Sequence, residues 1–388
     1  MTEEGGYRVL FVEAIGAHRG MHYYDLALCS ALAEQNVDVT LYTCDETTVP
    51  DGLSFPVDLA FRGIFGRAPA WLRGLRYARA LAHIGGEARD GPAILHVHFF
   101  HALPLDYAWL SWMRTRGHRL VITAHDVTPF DAGSRSIALV RRIYRLANHI
   151  IVHTESSRAE LLGSGVVPPE RISVIPHGHY LPYVDNLPSR QEARRHLDLP
   201  DDAPTILFFG QIKEVKGLEI LLQALPILAR DHPAVRLVVA GQVWNADWSR
   251  YAALIEQLEL QERIHLHLGH IPDHKVASFF VAADVVALPY HHVYQSGVLL
   301  MALSYARPVV ATRVGGLAEV LEEGKTGLLV PPADPQALAR SLDAILADPA
   351  AADLMGHRGR ALITERYAWP RIASLTRAAY ERSLASFQ

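Results

Sequence analysis

Short apolar runs alternate with stretches of helical periodicity along the first half of the chain. Runs of this length and composition are typical of buried strands, and the periodicity of residues 21–34 predicts a helix between the first two of them. The predicted strands lie at residues 7–13, 37–42, 93–98, 120–124, 149–153 and 172–175. Strands separated by helices favour a parallel sheet that is covered on both faces.

The alternation breaks at residues 180–200, where prolines and polar residues predict a linker, and then resumes. The later strands are predicted at residues 205–209, 236–240, 264–268, 285–288, 309–311 and 327–330, and helices at 338–347 and 370–385. This order predicts two doubly wound α/β domains. Because ligands of such sheets bind beyond the carboxyl ends of the strands, we expect the active site in a cleft between the domains.

Composition narrows the class of protein. The 388 residues include 37 Lys and Arg and 41 Asp and Glu, and this net charge of −4 does not favour a nucleic-acid binder. Cys29 and Cys44 cannot form a disulfide framework and are expected to be reduced thiols in the core. The acidic start is unlike a signal peptide, and no apolar run reaches the ~18–20 residues that span a bilayer. We expect a cytoplasmic protein, at most peripheral at the inner membrane face.

Arginine is concentrated in one segment. Residues 60–150 carry 13 Arg and 5 acidic residues, a local balance of +8. Aromatic residues alternate with Arg at 71–79, as they would in a helix that lies on a membrane surface. The segment predicts contact with anionic lipid or with an anionic acceptor. Solvated helix faces with intramolecular ion pairs are the alternative interpretation.

Three motifs in the second half carry chemistry. The first, residues 206–217, is a strand, Gly210 and a polar loop with Lys213 and Lys216, a pattern that suits a phosphate. The second is Ser296-Gly297 at the start of an apolar helix, where the backbone attracts an anion. The third is the Gly315-Gly316 turn followed by Glu319, whose carboxylate suits sugar hydroxyls. Surface lysines and a first-turn glutamate favoured by the helix dipole are the alternatives.

The order of these motifs resembles that of a known family. With residues 324–334, the His96-Val97-His98 and Thr123-Ala124-His125-Asp126 strand ends, and Glu365-Arg366-Tyr367-Ala368-Trp369-Pro370, the chain looks like a GT4-type glycosyltransferase (glycosyltransferase group 1). The resemblance implies the GT-B fold, two Rossmann-like doubly wound domains with an interdomain cleft. Residues 1–188 would bind the acceptor and 189–370 the nucleotide sugar, and a helix at 371–388 would return to the first domain.

The resemblance also implies roles for individual residues. Lys216 matches the lysine that binds the donor diphosphate, and Lys213 would supply the second cation because Gln211, after Gly210, replaces the usual Arg. His125 matches the histidine near the reacting carbon; a structural strand-end histidine is the alternative. The remaining implied positions are Gly16 and Gly20 in a glycine loop, and Ser296, Gly297 and Val298 at the phosphate. We further expect Glu319 to contact donor hydroxyls, and His18, His98 and Asp126 to bind the acceptor.

The chain departs from the family at one motif. The Glu-x7-Glu pair maps onto Val293 and Met301, so other groups must hold the donor or the activity has been lost. We expect an active enzyme that transfers a hexose-type sugar, with retention, from a nucleotide diphosphate sugar to a glycan, glycolipid or small metabolite. A non-catalytic sugar-binding relative, a phosphorylase and an epimerase are the alternatives.

Neither a metal nor a further cofactor is expected. The sequence contains no Asp-x-Asp, which agrees with the metal independence that the resemblance implies. Histidines cluster at 96, 98 and 101 and at 291–292, without Cys-x-x-Cys or His-Glu-x-x-His. We expect these side chains to bind sugar hydroxyls or to fill space.

Overall fold

The chain divides into two compact units. A computed structural model describes residues 7–88, 91–98, 102–128 and 134–385. Unit 1 consists of Met1–Gly178 together with Ala368–Gln388, and unit 2 consists of His179–Tyr367. The chain therefore leaves unit 1, completes unit 2 and returns to unit 1.

Unit 1 is built on a parallel sheet of seven strands among its described residues. The strand order is β3-β2-β1-β4-β5-β6-β7. The strands are β1 (Arg8–Val12), β2 (Asp38–Cys44), β3 (Val57–Phe61), β4 (Ile94–His98), β5 (Arg119–Ala124), β6 (His149–Val152) and β7 (Ile172–Val174). The order reverses beside β1, which pairs with both β2 and β4.

Helices cover the sheet of unit 1. They are α1 (His22–Glu34), α2 (Ala70–Glu87), α3 (Pro104–Thr115), α4 (Ser134–Leu146), α5 (Glu155–Gly163) and α14 (Trp369–Ala385). Helix α14 packs against α1, and its Ile372 and Tyr380 lie in one apolar cluster with Val9 and Phe11 of β1. The core of unit 1 therefore contains residues from both of its chain segments.

Unit 2 repeats the design with six strands in the order β10-β9-β8-β11-β12-β13, all parallel. The strands are β8 (Thr205–Phe209), β9 (Arg236–Gly241), β10 (Ile264–Leu268), β11 (Val285–Leu288), β12 (Val309–Thr312) and β13 (Leu328–Val330). Ile206 and Phe208 pack in one apolar layer and Leu207 in the other, so β8 is buried on both faces. This is why its sequence is a continuous apolar run rather than an alternating one.

The helices of unit 2 form these two layers. They are α6 (Arg190–His196), α7 (Leu218–Leu228), α8 (Trp248–Gln257), α9 (Asp273–Ala282), α10 (Gly297–Ser304), α11 (Gly315–Val320), α12 (Pro335–Ala347) and α13 (Pro349–Arg366). Helix α12 packs on α7, and α6 packs on α9.

The strands predicted from the sequence are confirmed to within two residues of their ends. The prediction missed β3, an edge strand whose residues are mostly half-buried, because its apolar signal is weak. Cys29 in α1 and Cys44 at the end of β2 are free and buried, as expected.

The core of unit 1 also contains an unusual group of buried histidines. We refer to His96, His98, His125, His153 and His177 as the histidine cluster; each is at most 6% exposed. The ring of Tyr24 lies against His98, His125, His153 and His177, with centroids 4.9–5.7 Å apart.

Burial sets the protonation state of this cluster. It lowers the pKa of His153 to about 4 and of His96 and His177 to about 3, and it lowers the pKa of His98 and His125 well below the usual value. The pKa values of the nearby Glu13 and Asp25 carboxyls shift in the opposite direction, because burial raises both. At neutral pH the imidazoles are therefore uncharged.

This arrangement predicts a loss of stability on acidification. Unfolded histidines take up protons below about pH 6.5 while the buried ones do not, so each contributes about 1.4 kcal/mol of destabilisation per pH unit down to its folded pKa. Glu13 and Asp25 oppose this change, since their raised pKa values let the folded chain bind protons first, but the histidines outnumber them. We expect the free energy of unfolding, measured with urea on the full chain, to fall between pH 7 and pH 5.

Two variants test the origin of this effect. His153→Gln removes one buried imidazole and should make the pH dependence shallower. His357→Gln replaces an imidazole whose side chain is 63% exposed and should leave the slope unchanged. A free energy of unfolding that stays level or rises from pH 7 to pH 5 would contradict the assignment.

Candidate functional site

The loops that follow β8, β11 and β12 meet at the carboxyl ends of the strands of unit 2. The reversal of strand order between β8 and β11 leaves a crevice there, the usual ligand position in such sheets. The His291 N–H donates to the Val215 carbonyl at 2.9 Å. The Thr312 hydroxyl donates to the Tyr290 carbonyl at 2.5 Å. The three motifs predicted from the sequence are thus brought together.

Two glycines allow this close approach. Gly217 has φ = 64°, and a Cβ there would lie 2.0 Å from the Pro289 carbonyl oxygen. Gly315 has φ = 42°, and a Cβ there would lie 1.8 Å from the Val293 carbonyl oxygen. Any side chain at either position would push the loops apart, and the left-handed backbone adds strain for non-glycine residues.

The two lysines of the first motif flank a short 3-10 helix, Glu214–Lys216. The Lys216 ammonium lies 3.8 Å from the centroid of the Tyr290 ring, a cation–π contact that fixes its position. Lys213, at the N-cap of the 3-10 helix, and Gln211 are both half-buried. The arrangement presents cations on a rigid support beside the end of β8.

Helix α10 begins at the same end of the sheet. Ser296 is its N-cap, and the Ser296 hydroxyl accepts a hydrogen bond from the Leu299 N–H at 3.2 Å. The N–H groups of Gly297 and Val298 belong to the first turn, which has no acceptors within the helix. We refer to residues 210–217, which carry Lys213 and Lys216, as the lysine loop. A Cβ on Gly210 would lie 3.1 Å from Val298 Cγ2, so the start of this loop adjoins the first turn of α10. Backbone N–H groups and lysines at one helix N-terminus suit a diphosphate.

The positions of the missing carboxylate pair are apolar in structure as well as in sequence. Val293 is 5% exposed within one apolar layer of unit 2, and Met301 packs against that layer from α10. Glu319 is exposed on α11, and its charge adds to burial in raising the pKa of Tyr367.

In unit 1, the glycine loop follows β1 at the point where the strand order reverses. The buried Glu13 carboxylate accepts hydrogen bonds from the N–H groups of Ile15, at 2.9 Å, and Gly16. Gly16 has φ = 50°, and its backbone lies against Thr43, Cys44 and Thr47. Gly20, with φ = 75°, ends the 3-10 helix Gly16–Arg19. The side chain of His18 lies outside the described residues.

His98 and His125 lie together near this loop, at the ends of neighbouring strands. His98 is the last residue of β4, and His125 follows β5. His98 Nδ1 is 3.1 Å from His125 Nε2, and His125 Nδ1 is 2.9 Å from His153 Nε2. Both ring nitrogens of His125 are thus engaged by other histidines. Asp126 is half-buried beside them in the chain.

Sequence analysis missed several of these groups. The sequence patterns do not single out Tyr290, Glu13 or Asp25. His153 follows β6 as His125 follows β5, and His98 ends β4. Adjacency of these strands is the signal that could have found His153.

Two further features of the described residues bear on function. No group of three or more His, Cys, Asp or Glu side chains among them is placed to hold a metal ion. Within the same part of the chain, no helix combines the length and the apolar character that crossing a membrane requires.

Family models match both halves of the chain. The model "Glycosyl transferases group 1" matches residues 189–362, and the model "Glycosyltransferase Family 4" matches residues 19–180. The first match includes the lysine loop and α10, and the second includes His98 and His125.

Relatives along most of the chain carry glycosyltransferase names. A D-inositol 3-phosphate glycosyltransferase of Kineococcus radiotolerans is 28% identical, over 94% of this chain and 91% of its own length. A glycogen synthase of Mycobacterium tuberculosis is also 28% identical, over 79% of this chain and 72% of its own.

Solved structures share the fold. The Anabaena protein HepE, in complex with UDP and glucose, is 19% identical with a TM-score of 0.77 and covers 97% of this chain and 99% of its own. Sucrose-phosphate synthase from Thermosynechococcus elongatus is 22% identical with a TM-score of 0.78, and the match covers 98% of this chain and 100% of its own. With its two parallel sheets, the chain has the GT-B fold, and it belongs to the group 1 glycosyltransferases of the GT4 type.

Proposed function

We propose that the protein transfers a hexose from a nucleotide diphosphate sugar to an acceptor hydroxyl, with retention at the anomeric carbon and without a metal ion. The proposal is supported by Lys216 over the Tyr290 ring and by Gly210 beside Val298, since both contacts join the loop that carries Lys213 and Lys216 to the segment that begins α10. The neighbour HepE binds UDP and glucose, which makes a uridine diphosphate hexose the first donor to test.

The chemistry assigned to these groups is stabilisation of the departing diphosphate. The bond from the anomeric carbon to the phosphate oxygen breaks, and the acceptor oxygen bonds to the same face of the sugar. The leaving phosphate takes the acceptor proton. The lysines and the N–H groups of Gly297 and Val298 offset the negative charge that develops on the diphosphate. Charges held in place before the reaction are effective because they need no reorganisation during it.

The apolar residues at 293 and 301 support a second candidate, a relative that binds nucleotide sugars without turning them over. In the active protein, Glu319 is the proposed contact for donor hydroxyls. Turnover of the donor in the presence of acceptors separates the two functions, since a binder would show affinity without product.

We also propose that α4 brings the protein to anionic lipid. Arg135, Arg141, Arg142 and Arg145 are all exposed on this helix. Trp71, at the start of α2, is 72% exposed, as an aromatic side chain that enters a lipid headgroup region would be. A lipid-linked acceptor would be met at such a surface.

Replacement of Lys216 tests the diphosphate site. Lys216→Ala should lower kcat/KM for donor transfer by ~10²-fold or more, the effect of losing a charge contact made in the transition state. Lys275→Ala removes an exposed lysine of α9 in the same unit and should have little effect. Kinetics of Lys216→Ala close to wild type would refute the assignment.

Nucleotide binding tests the donor class. UDP at about 100 times its Kd should stabilise the protein by about 2.7 kcal/mol, measured as a rise in Tm. At the same concentration, GDP and ADP should raise the Tm less. The rise should persist with EDTA, because lysines and N–H groups carry the charge. No shift with any of the three nucleotides would exclude a diphosphate site of useful affinity.

Vesicle co-sedimentation tests the lipid contact. Arg141→Glu/Arg142→Glu should weaken binding to anionic vesicles, since each arginine near the surface contributes about 1 kcal/mol, and added salt should weaken wild-type binding. The matched variant Arg358→Glu/Arg360→Glu changes two exposed arginines of α13 and should bind as wild type does. Equal binding to neutral and anionic vesicles would contradict the proposal.

A further inference from the structure

The hydrogen bonds of three histidines form a chain with a fixed end. His153 Nδ1 is 2.9 Å from the Ile175 carbonyl oxygen, His153 Nε2 is 2.9 Å from His125 Nδ1, and His125 Nε2 is 3.1 Å from His98 Nδ1. A carbonyl oxygen can only accept, so His153 Nδ1 must carry the proton.

The Ile175 carbonyl therefore sets the tautomers of all three histidines. Neutral His153 presents Nε2 as an acceptor, so His125 Nδ1 donates to it, and His98 Nδ1 donates in turn to His125 Nε2. Asp25 Oδ1 lies 3.7 Å from His98 Nδ1, beyond hydrogen-bond distance. His98 Nε2 is left as a bare acceptor.

That acceptor has no partner in the described structure, and its side chain lines a small cavity. His98 Nε2 and Trp109 Nε1 are both buried without a hydrogen-bond partner. Both side chains line a cavity of about 20 Å³ beyond Val12, at the end of β1. This volume holds one water-sized group. A hydroxyl there has an acceptor in His98 Nε2 and a donor in the Trp109 N–H, since the other polar residues of the lining, Tyr77 and Asp106, bond each other.

The cavity adjoins a wider groove between α2 and α3. The groove has a volume of about 360 Å³ and shares Leu81 and Trp109 with the cavity. Its walls are apolar, with Trp112 and Leu105 at the exposed end and Gly85 so close to Trp112 that a Cβ would lie 2.6 Å from the ring. A molecule with a hydroxyl in the cavity would place its carbon skeleton among these side chains.

We infer that this is the acceptor subsite: the acceptor is an alcohol with an apolar carbon skeleton that lies in the groove between α2 and α3. Its hydroxyl donates to His98 Nε2 before transfer and releases this hydrogen bond when its proton passes to the leaving phosphate. His125 and His153 are positioning residues that keep Nε2 of His98 unprotonated. The inference rests on the proposed glycosyl transfer for the fate of the alcohol, but the subsite and its polarity can be tested without turnover.

The first experiment is NMR of the full chain labelled with ¹⁵N in histidine and tryptophan. His98, His125 and His153 should all be Nδ1–H tautomers. Benzyl alcohol should shift the resonances of His98 Nε2 and the Trp109 indole N–H, whereas toluene, which lacks the hydroxyl, should not shift His98 Nε2. Three results would overturn the inference: a proton on His98 Nε2, equal shifts with both probes, or no shift with either, which would mean a cavity occupied by water only.

Variants at His153 test the positioning role from a distance. His153→Leu removes the acceptor for His125 Nδ1–H, so His98 should lose its single tautomer and its response to benzyl alcohol. His153→Gln should restore both, because an amide can donate to the Ile175 carbonyl and accept from His125. The matched control is His149→Gln. It changes a buried histidine that bonds Ser173 and takes no part in the hydrogen bonds among His98, His125 and His153. Retention of the His98 tautomer in a folded His153→Leu protein would refute the positioning role.

Kinetics connect the subsite to transfer. With UDP-glucose as donor, His153→Leu should raise the KM for benzyl alcohol about fivefold, the effect of one hydrogen bond, and leave the KM for UDP-glucose unchanged. An equal rise in both KM values would indicate a structural defect instead. If the NMR results hold but no benzyl glucoside forms with any nucleotide sugar, the proposed function fails and the alcohol site stands.

Discussion

Parallel pairing of β1 with β4, and of β8 with β11, decides where the chemistry of each unit lies. At both pairs the strand order reverses, so consecutive connections lead to opposite faces of the sheet and leave the carboxyl ends open. The glycine loop and His98 occupy this position in unit 1. The lysine loop and α10 occupy it in unit 2. Each set of functional groups depends on this one constraint of topology.

The histidine cluster shows how a polar core can be compatible with stability. Buried imidazoles are costly unless their hydrogen bonds are satisfied. Here His96 bonds Tyr380 and Thr123, His177 bonds the Gly178 carbonyl, and the other three bond one another in sequence. Because each link determines the proton position of the next, a backbone carbonyl near β7 determines the polarity of a cavity near β1. The same network that fills the core therefore defines the chemistry at its edge.

Much of this organisation follows from the sequence, and the limits have physical causes. Continuous apolar runs located all strands except β3, whose half-buried edge position leaves no strong pattern. Glycines and lysines after strands indicated the diphosphate site because backbone approach and charge are local properties. Tyr290 beneath Lys216 depends on which loops meet, and sequence order alone does not state that. Tautomers and orphan atoms such as Trp109 Nε1 depend on distances between elements far apart in the chain.

The path of the chain through α14 has a consequence for synthesis. Helix α14 contributes Trp369, Ile372, Ala373, Ala379 and Tyr380 to a core whose other buried residues belong to the first 178 positions, and the whole of unit 2 lies between them in sequence. As the chain leaves the ribosome, unit 2 has all its residues before unit 1 has its last helix. Unit 1 begins to emerge first but is completed last, so the apolar side of its sheet that α14 covers stays open to contacts with other chains until synthesis ends.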